Sequence, residues 1–268
     1  MTARAALPLT TRLFDSLDAL ADYAAAATYK PSDPKWAGAT LPEALRLTRD
    51  GDARLVARSD ELLRRYEALA FPTTRRQWRN DVAGYFPNVP AHIAGVPTSM
   101  RRRERRENVI APITVYVDLF LSAMFDAEAA MARGAAILAL TRVLTAHRAV
   151  TLYVGYGTTT HDGHTLCPMV QINTTPLDLA HAAYVMCSTS FVRQTLLRVM
   201  DRMVPGSSPW PSLRGDVRDV IAAGLPHTQG TQVLVIPGGI VGGIVSDPSK
   251  WIEERIREAA PEVLGDAA

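Results

Sequence analysis

Ile113-Thr-Val-Tyr-Val-Asp118 decides how this chain reads. It is a short β-branched and aromatic run closed by an acidic residue, and the Ala- and Leu-rich stretch Met124–Ala146 behind it has the length of a helix. A strand with almost no polar alternation is one buried on both faces, as parallel strands are. The pattern then recurs. Val150-Thr-Leu-Tyr-Val154 and Cys167–Ile172 read as strands, and Leu177–Met203 as a long helix. Gln232-Val-Leu-Val-Ile236 is a strand stopped by Pro237 and Gly238, with a last helix over Pro248–Glu258. Strands alternating with helices of this length predict an α/β fold with a doubly wound, mostly parallel, Rossmann-like sheet.

Upstream the rhythm differs. Leu13, Phe14, Leu17, Leu20, Ala21 and Ala24 fall on one side of a helix over residues 11–27. Pro31, Pro34 and Pro42 interrupt the chain, and Leu41–Thr48 and Ala53–Leu69 read as two more helices about the turn Asp50-Gly51-Asp52. Residues 84–99, with Pro87, Pro90 and Pro97, read as an irregular connection. These patterns predict a helical N-terminal extension over 1–108, ending in a basic arm, and an α/β domain over 109–268.

The chain has 268 residues, 47% of them hydrophobic and 21% charged, with a net charge of +2. That is globular composition, and the whole-chain field is too weak to drive nucleic-acid or membrane binding by itself. Two cysteines, Cys167 and Cys187, are no disulfide framework. The start of the chain has Asp15 and Asp18 and no continuous apolar stretch, and no run of about 18 apolar residues occurs. The expected location is the cytoplasm, with no membrane contact.

His161-Asp162-Gly163-His164 with Cys167 offers N and S donors for zinc, but Asp162-Gly163 is first a hairpin turn signal. The glycines from Gly238 to Gly243 lack the spacing and the Lys of a phosphate-binding loop. Ser188 and Ser190 beside Cys187 have no nucleophile elbow, Cys187 reads as a small buried apolar residue, and Asp178 with His181 at i, i+3 reads as surface chemistry. No enzyme is expected from these residues. Arg101, Arg102, Arg103, Arg105 and Arg106 form the sharpest charge feature, a candidate phosphate-contacting arm that Arg75, Arg76 and Arg79 extend, with Trp78 as a stacking face.

The segment from Val117 to Ser122 resembles the start of a von Willebrand factor A-like domain, in which an apolar strand ends in Asp-x-Ser-x-Ser ahead of a helix. The resemblance covers roughly 150 residues, through the strands at Val150–Val154, Cys167–Ile172 and Val233–Ile236. It implies a metal-ion-dependent adhesion site in degenerate form. Asp118, Ser122 and Thr174 (or Thr175) would hold Mg²⁺, Phe120 replaces the middle hydroxyl, and Pro237-Gly238-Gly239 stands where the family has an Asp. Trp36, Gly38, Pro90 and Ala94-Gly95-Val96-Pro97 also resemble proteins carried by bacteriophages and prophages.

The resulting expectation is a phage-type protein-interaction module. Its partner would sit at the carboxyl edge of the sheet, on Asp118, Phe120, Ser122, Thr175, Asp178, Gly238 and Gly239, where loops and helix N-termini converge. The alternative is a nucleic-acid-binding accessory protein that uses Arg101–Arg106. A metal-dependent hydrolase ranks third.

Overall fold

The structure is a computed structural model that describes residues 9–57, 64, 77–83, 86–104, 111–120, 126–159, 165–205, 231–238, 244 and 246–260. Its centre is strand β5 (Ile113–Asp118), every residue of which is buried. β6 (Val150–Gly155) and β9 (Gln232–Ile236) flank it, and both run parallel to it. β8 (Thr165–Ile172) lies beyond β6 and runs antiparallel to it, from Leu152 opposite Ile172 to Gly155 opposite Met169. β1 (Leu9–Phe14) completes the edge, parallel to β8, so the order is β1-β8-β6-β5-β9. β7 (Thr158–Thr159) pairs antiparallel with β8.

The mixed α/β sheet is therefore mostly parallel, as expected, with one reversal. β1 and β8 point one way, and β5, β6 and β9 the other. The reversal follows from the connection. A parallel crossover needs about a dozen residues or more, and only residues 156–164, which include β7, separate β6 from β8. The antiparallel β7–β8 pairing agrees with the hairpin reading of Asp162-Gly163, although His161–His164 themselves lie outside the described residues.

Expectations for the N-terminal part need correction. Residues 9–14 are a strand, and the helix α1 (Leu17–Ala25) begins only after it, with the Ser16 hydroxyl accepting from the Ala19 amide. Pairing of β1 with β8 outweighs the helical spacing of Leu13 and Phe14. Leu20 and Ala24 of α1 and Leu47 of α3 (Leu41–Asp50) pack into the same core as Val115, Val117, Leu152, Val154 and Val170. Residues 9–50 are integral to the main fold, and the predicted division at 108 does not follow the packing. Between α1 and α3 lies the single turn α2 (Pro34–Ala37). A new helical stretch starts at residue 53 and is described as far as residue 57.

The predicted irregular connection holds structure as well. β2 (Gln77–Asp81), β3 (Phe86–Pro87) and β4 (Met100–Glu104) form a separate antiparallel sheet in the order β2-β4-β3, with α4 (Val89–Ile93) between β3 and β4.

Helix α5 (Ala127–His147) follows β5, capped by Asp126, which accepts from the Ala129 amide. By length and apolar composition it is a candidate to cross a membrane, yet most of it is buried inside the fold, so it is the core helix. The long helix read over 177–203 is three segments: α6 (Leu179–Cys187), a π-helical turn (Phe191–Leu196) and α7 (Leu197–Met203). α8 (Pro248–Ala259) buries Trp251, Ile252 and Ile256. All these helices feed one core on one face of the sheet. The other face carries a separate cluster of Tyr116, Tyr153, Cys167 and Met169, to which no described helix contributes. A doubly wound sheet was expected, but among the described residues the helices cover a single face.

Candidate functional site

Because the sheet reverses, its carboxyl ends lie on two opposite edges. The first belongs to β5, β6 and β9. There the apolar logic of β5 ends in Asp118, a carboxylic acid that is 1% exposed. The Phe120 amide donates to its Oδ1 at 3.0 Å and the Gly157 amide at 3.4 Å. Gly238 packs onto the same carboxyl. A Cβ there would stand 2.5 Å from the Phe120 Cβ and 2.9 Å from the Asp118 carboxyl, so no larger residue fits. The Phe120 and Tyr156 rings meet edge to face, 5.7 Å apart.

Arg133 reaches this edge from α5, and it too is buried. Its guanidinium donates to the backbone oxygens of Asp118 at 2.8 Å and Pro237 at 3.0 Å, which ties the ends of β5 and β9 together. Burial pushes the Asp118 carboxyl up to about 6, against the opposing pull of the Phe120 amide, the Arg133 charge and the Gly157 and Gly238 amides. Burial likewise lowers Arg133 to about 10, with the Asp118 charge acting the other way. Asp118 Oδ2, Arg133 Nε and the Thr158 hydroxyl have no hydrogen-bond partner among the described residues.

The folded pKa of Asp118 is raised above its unfolded value of 3.8. The folded state therefore holds this proton more tightly, and stability falls as pH rises through the window from about 4 to about 6. Asp118→Asn keeps an acceptor for the Phe120 amide and removes the charge. Between pH 4 and pH 7 the wild type should lose about 2 kcal/mol relative to this variant in urea unfolding, since one pKa unit is about 1.4 kcal/mol and part of the change is complete by pH 4. A constant difference across that range would show that Asp118 titrates normally.

The opposite edge holds the carboxyl ends of β1 and β8, and here stand Thr174, Thr175 and Asp178. The Thr174 hydroxyl donates to the Val150 carbonyl at the start of β6, whereas Asp118 pairs with Gly155 at its end. That is about 17 Å of strand at about 3.3 Å per residue, and a Mg²⁺ ligand must lie about 2 Å from the ion. Asp118 and Thr174 are thus not ligands of one cation. Ser122 lies outside the described residues, as does Gly239, and among the described residues no three His, Cys, Asp or Glu side chains form a metal cluster. The expected single binding edge is corrected on the same ground: Asp118, Phe120 and Gly238 converge, while Thr175 and Asp178 belong to the other edge. Cys167, weighed as a zinc donor, is buried in β8 beside the Tyr116 hydroxyl, and burial pushes its thiol up to about 12. Cys187 is buried as expected, its thiol likewise pushed up to about 12.

The far edge encloses a cleft of about 240 Å³, lined in part by Asp15, Asp18, Arg49, Asn173, Asp178 and His181. Asp178 caps α6, accepting from the His181 amide at 3.2 Å.

The small sheet carries the basic run. Residues 101–104 are strand rather than a free arm, with Arg102 opposite Arg79 and Arg103 opposite Trp78 in register, while Arg105 and Arg106 lie outside the described residues. Arg101 lies between Asn80 and Phe86 on neighbouring strands, and all three are exposed. Val82, Phe86, Val89, Ile93 and Val96 are exposed by 69, 56, 56, 80 and 41%. Outside this stretch, the exposed large hydrophobics among the described residues are Leu13 and Trp36.

One polar constellation escaped the sequence reading. In the π-helical turn and α7, Arg193, Gln194 and Arg198 are buried and turned toward the segment after α1. Arg198 donates to the carbonyls of Ala24, Ala27 and Tyr29, Gln194 to those of Ser32 and Ala39, and Arg193 to that of Trp36. They satisfy carbonyls left over at the end of α1 and fix the loop beyond it. The signal was three long polar residues, Arg193, Gln194 and Arg198, interleaved with Phe191, Val192, Leu196, Leu197, Val199 and Met200.

No curated protein and no solved structure matches the chain. A family described as "Domain of unknown function (DUF7192)" matches residues 4–214, a span that crosses position 108 and runs past α7. With most of its length matched, the chain belongs to the DUF7192 family.

Proposed function

We propose that this chain is a protein-interaction module that docks its partner through residues 82–96 of the small sheet. The supporting observation is the clustering there of Val82, Phe86, Val89, Ile93 and Val96, all exposed. Five exposed large apolar side chains within fifteen residues, against two in the rest of the described chain, favour a surface that a partner covers. The neighbouring Arg101 adds a guanidinium at the rim, the usual arrangement of an apolar centre with a polar border, and it favours an acidic partner. A von Willebrand A-like reading of the segment around Asp118 would carry the same partner-binding role. The partner surface, however, moves away from the sheet edge. Asp118 is buried, and Thr175 and Asp178 lie on the other side of the fold.

Full-length chain and a Phe86→Asp, Ile93→Asp double variant, used as baits, test this. Both changes lie on exposed positions, so the variant should keep the wild-type melting temperature, and it should lose at least about tenfold in partner recovery, as expected when the two changes together remove about 1.4 kcal/mol or more. Equal recovery by both baits would dismiss the surface.

A second reading has its own observation. The line Asn80–Arg101–Phe86 across three strands offers stacking and cationic contacts to single-stranded nucleic acid. It expects affinity for oligonucleotides to fall with salt by a log–log slope of about −0.7 per phosphate neutralised, with Arg101→Ala removing about one such unit. A flat salt response would leave the protein-partner reading alone.

A further inference from the structure

His181 sits where three elements meet: the first turn of α6, the end of α3 and the connection from β1 to α1. Its Nε2 is 2.7 Å from the carbonyl oxygen of Arg49, which only accepts, so Nε2 carries a hydrogen. Its Nδ1 is 2.7 Å from Asp178 Oδ2. A neutral ring that donates from Nε2 would turn the Nδ1 lone pair onto a carboxylate oxygen. Both contacts are attractive together when the ring is an imidazolium. The cation then lies against the last-turn carbonyls of α3, the negative end of that helix, and against the carboxylate that caps α6. The Asp52 amide bonds the Ala180 carbonyl at 3.1 Å beside it, so this junction joins the two helices.

We propose that His181 is a proton-operated latch between α3 and α6: protonated, it holds the end of α3 against the Asp178 cap, and on losing its proton it releases that end and loosens the wall of the 240 Å³ cleft. The charges around it favour the closed state. Asp178 faces it from α6, and Asp15 of the β1–α1 connection and Asp18 of the first turn of α1 line the same cleft. On α3, Arg49 is drawn to Asp22 of α1 at 2.7 Å, and Asp50 pairs with Arg46. β8 and the loop after it contribute the neutral Gln171 and Asn173. Burial disfavours the charged ring, but the Arg49 carbonyl and the Asp178 and Asp18 carboxylates outweigh it and hold His181 above its ordinary value of 6.5. Asp178 is held below the usual carboxylate range; burial opposes this, but the His181 amide, ring bond and charge prevail. With a raised folded pKa, the latch is complete below about 6.5 and is lost as pH rises through the higher folded value.

The test uses the full wild-type chain. Ring ¹⁵N shifts of His181 and amide exchange at Asp52 are followed from pH 5.5 to pH 9. Two protonated ring nitrogens at pH 6.5 are expected, with a midpoint above 6.5. Corrected for its intrinsic rate, Asp52 exchange should speed up through that midpoint by about tenfold for each pH unit that it lies above 6.5. In His181→Gln, exchange at Asp52 should be fast at every pH, with no step. A ring that is neutral at pH 6.5, or one that titrates with no step in Asp52 exchange, would overturn the latch. The wild-type measurements decide even if the variant fails to fold.

Discussion

Arg133→Met should cost about 2–6 kcal/mol in urea unfolding at pH 7, because two buried carbonyls lose their donor. The side chain is 2% exposed and lies where β5 and β9 end. Its removal leaves the Asp118 and Pro237 carbonyls without their donor, at about 1–3 kcal/mol for each buried group left unpaired. It also removes the positive charge that lowers the Asp118 pKa, so Asp118 should titrate above its present value of about 6. The sign of the pH effect is then fixed. The damage should be smaller at pH 5, where Asp118 is largely protonated, than at pH 7.5, where it is charged and uncompensated. Adding Asp118→Asn to Arg133→Met should recover part of the loss at pH 7.5 and little of it at pH 5. A cost below about 1 kcal/mol at both pH values would mean that Arg133 is not what closes this edge of the sheet.

That edge shows what could be read from residues alone and what could not. Ile113–Val117 and Gln232–Ile236 announced two buried strands by composition, and the structure pairs them side by side and parallel. Asp118 stood out in the sequence as a candidate cation ligand after the strand Ile113–Val117; the structure makes it the last residue of that strand, and its chemistry depends on Gly238, which arrives from more than a hundred residues away. Arg133 gave a faint signal, a charged residue within the apolar run Met124–Ala146, and helical spacing alone does not say which side chains meet a strand end. The direction of β8 was legible in principle. Residues 156–164 are too short for a crossover, and Asp162-Gly163 is a hairpin turn signal. Treating Cys167–Ile172 as one more parallel strand placed Thr174, Thr175 and Asp178 beside Asp118, and the whole expected binding edge rested on that step. β1 was hidden for a different reason. Leu13 and Phe14 fit the helical spacing of the Ala-rich run behind them, and the partner that makes them a strand lies some 150 residues further on.

Gly134→Ala sets two effects of opposite sign against each other. In a helix interior Ala is favoured over Gly by about 1 kcal/mol, so on propensity alone the change would stabilise α5. Gly134, however, is where α5 and α6 touch through their backbones. A Cβ placed there would lie 2.4 Å from the Met186 carbonyl oxygen and 2.6 Å from the Cys187 sulfur. Non-bonded contact needs about 3.5 Å, so the helices would have to part by about 1 Å across an interface in which Ala182, Ala183 and Met186 are buried. Overpacking of this kind costs about 1–3 kcal/mol, and a rigid backbone oxygen as the obstacle puts Gly134 at the upper end. The expected result is a net loss on the order of 2 kcal/mol in urea unfolding, after the helix preference has taken back its share. Gly134→Val, with two more methyl groups and a β-branch, should lose clearly more. Cys187→Ala added to Gly134→Ala removes the sulfur contact but not the one to the Met186 carbonyl, so it should recover only part of the loss. Gly134→Ala that raises stability by the full helix preference would show that α5 and α6 do not meet backbone to backbone at this point.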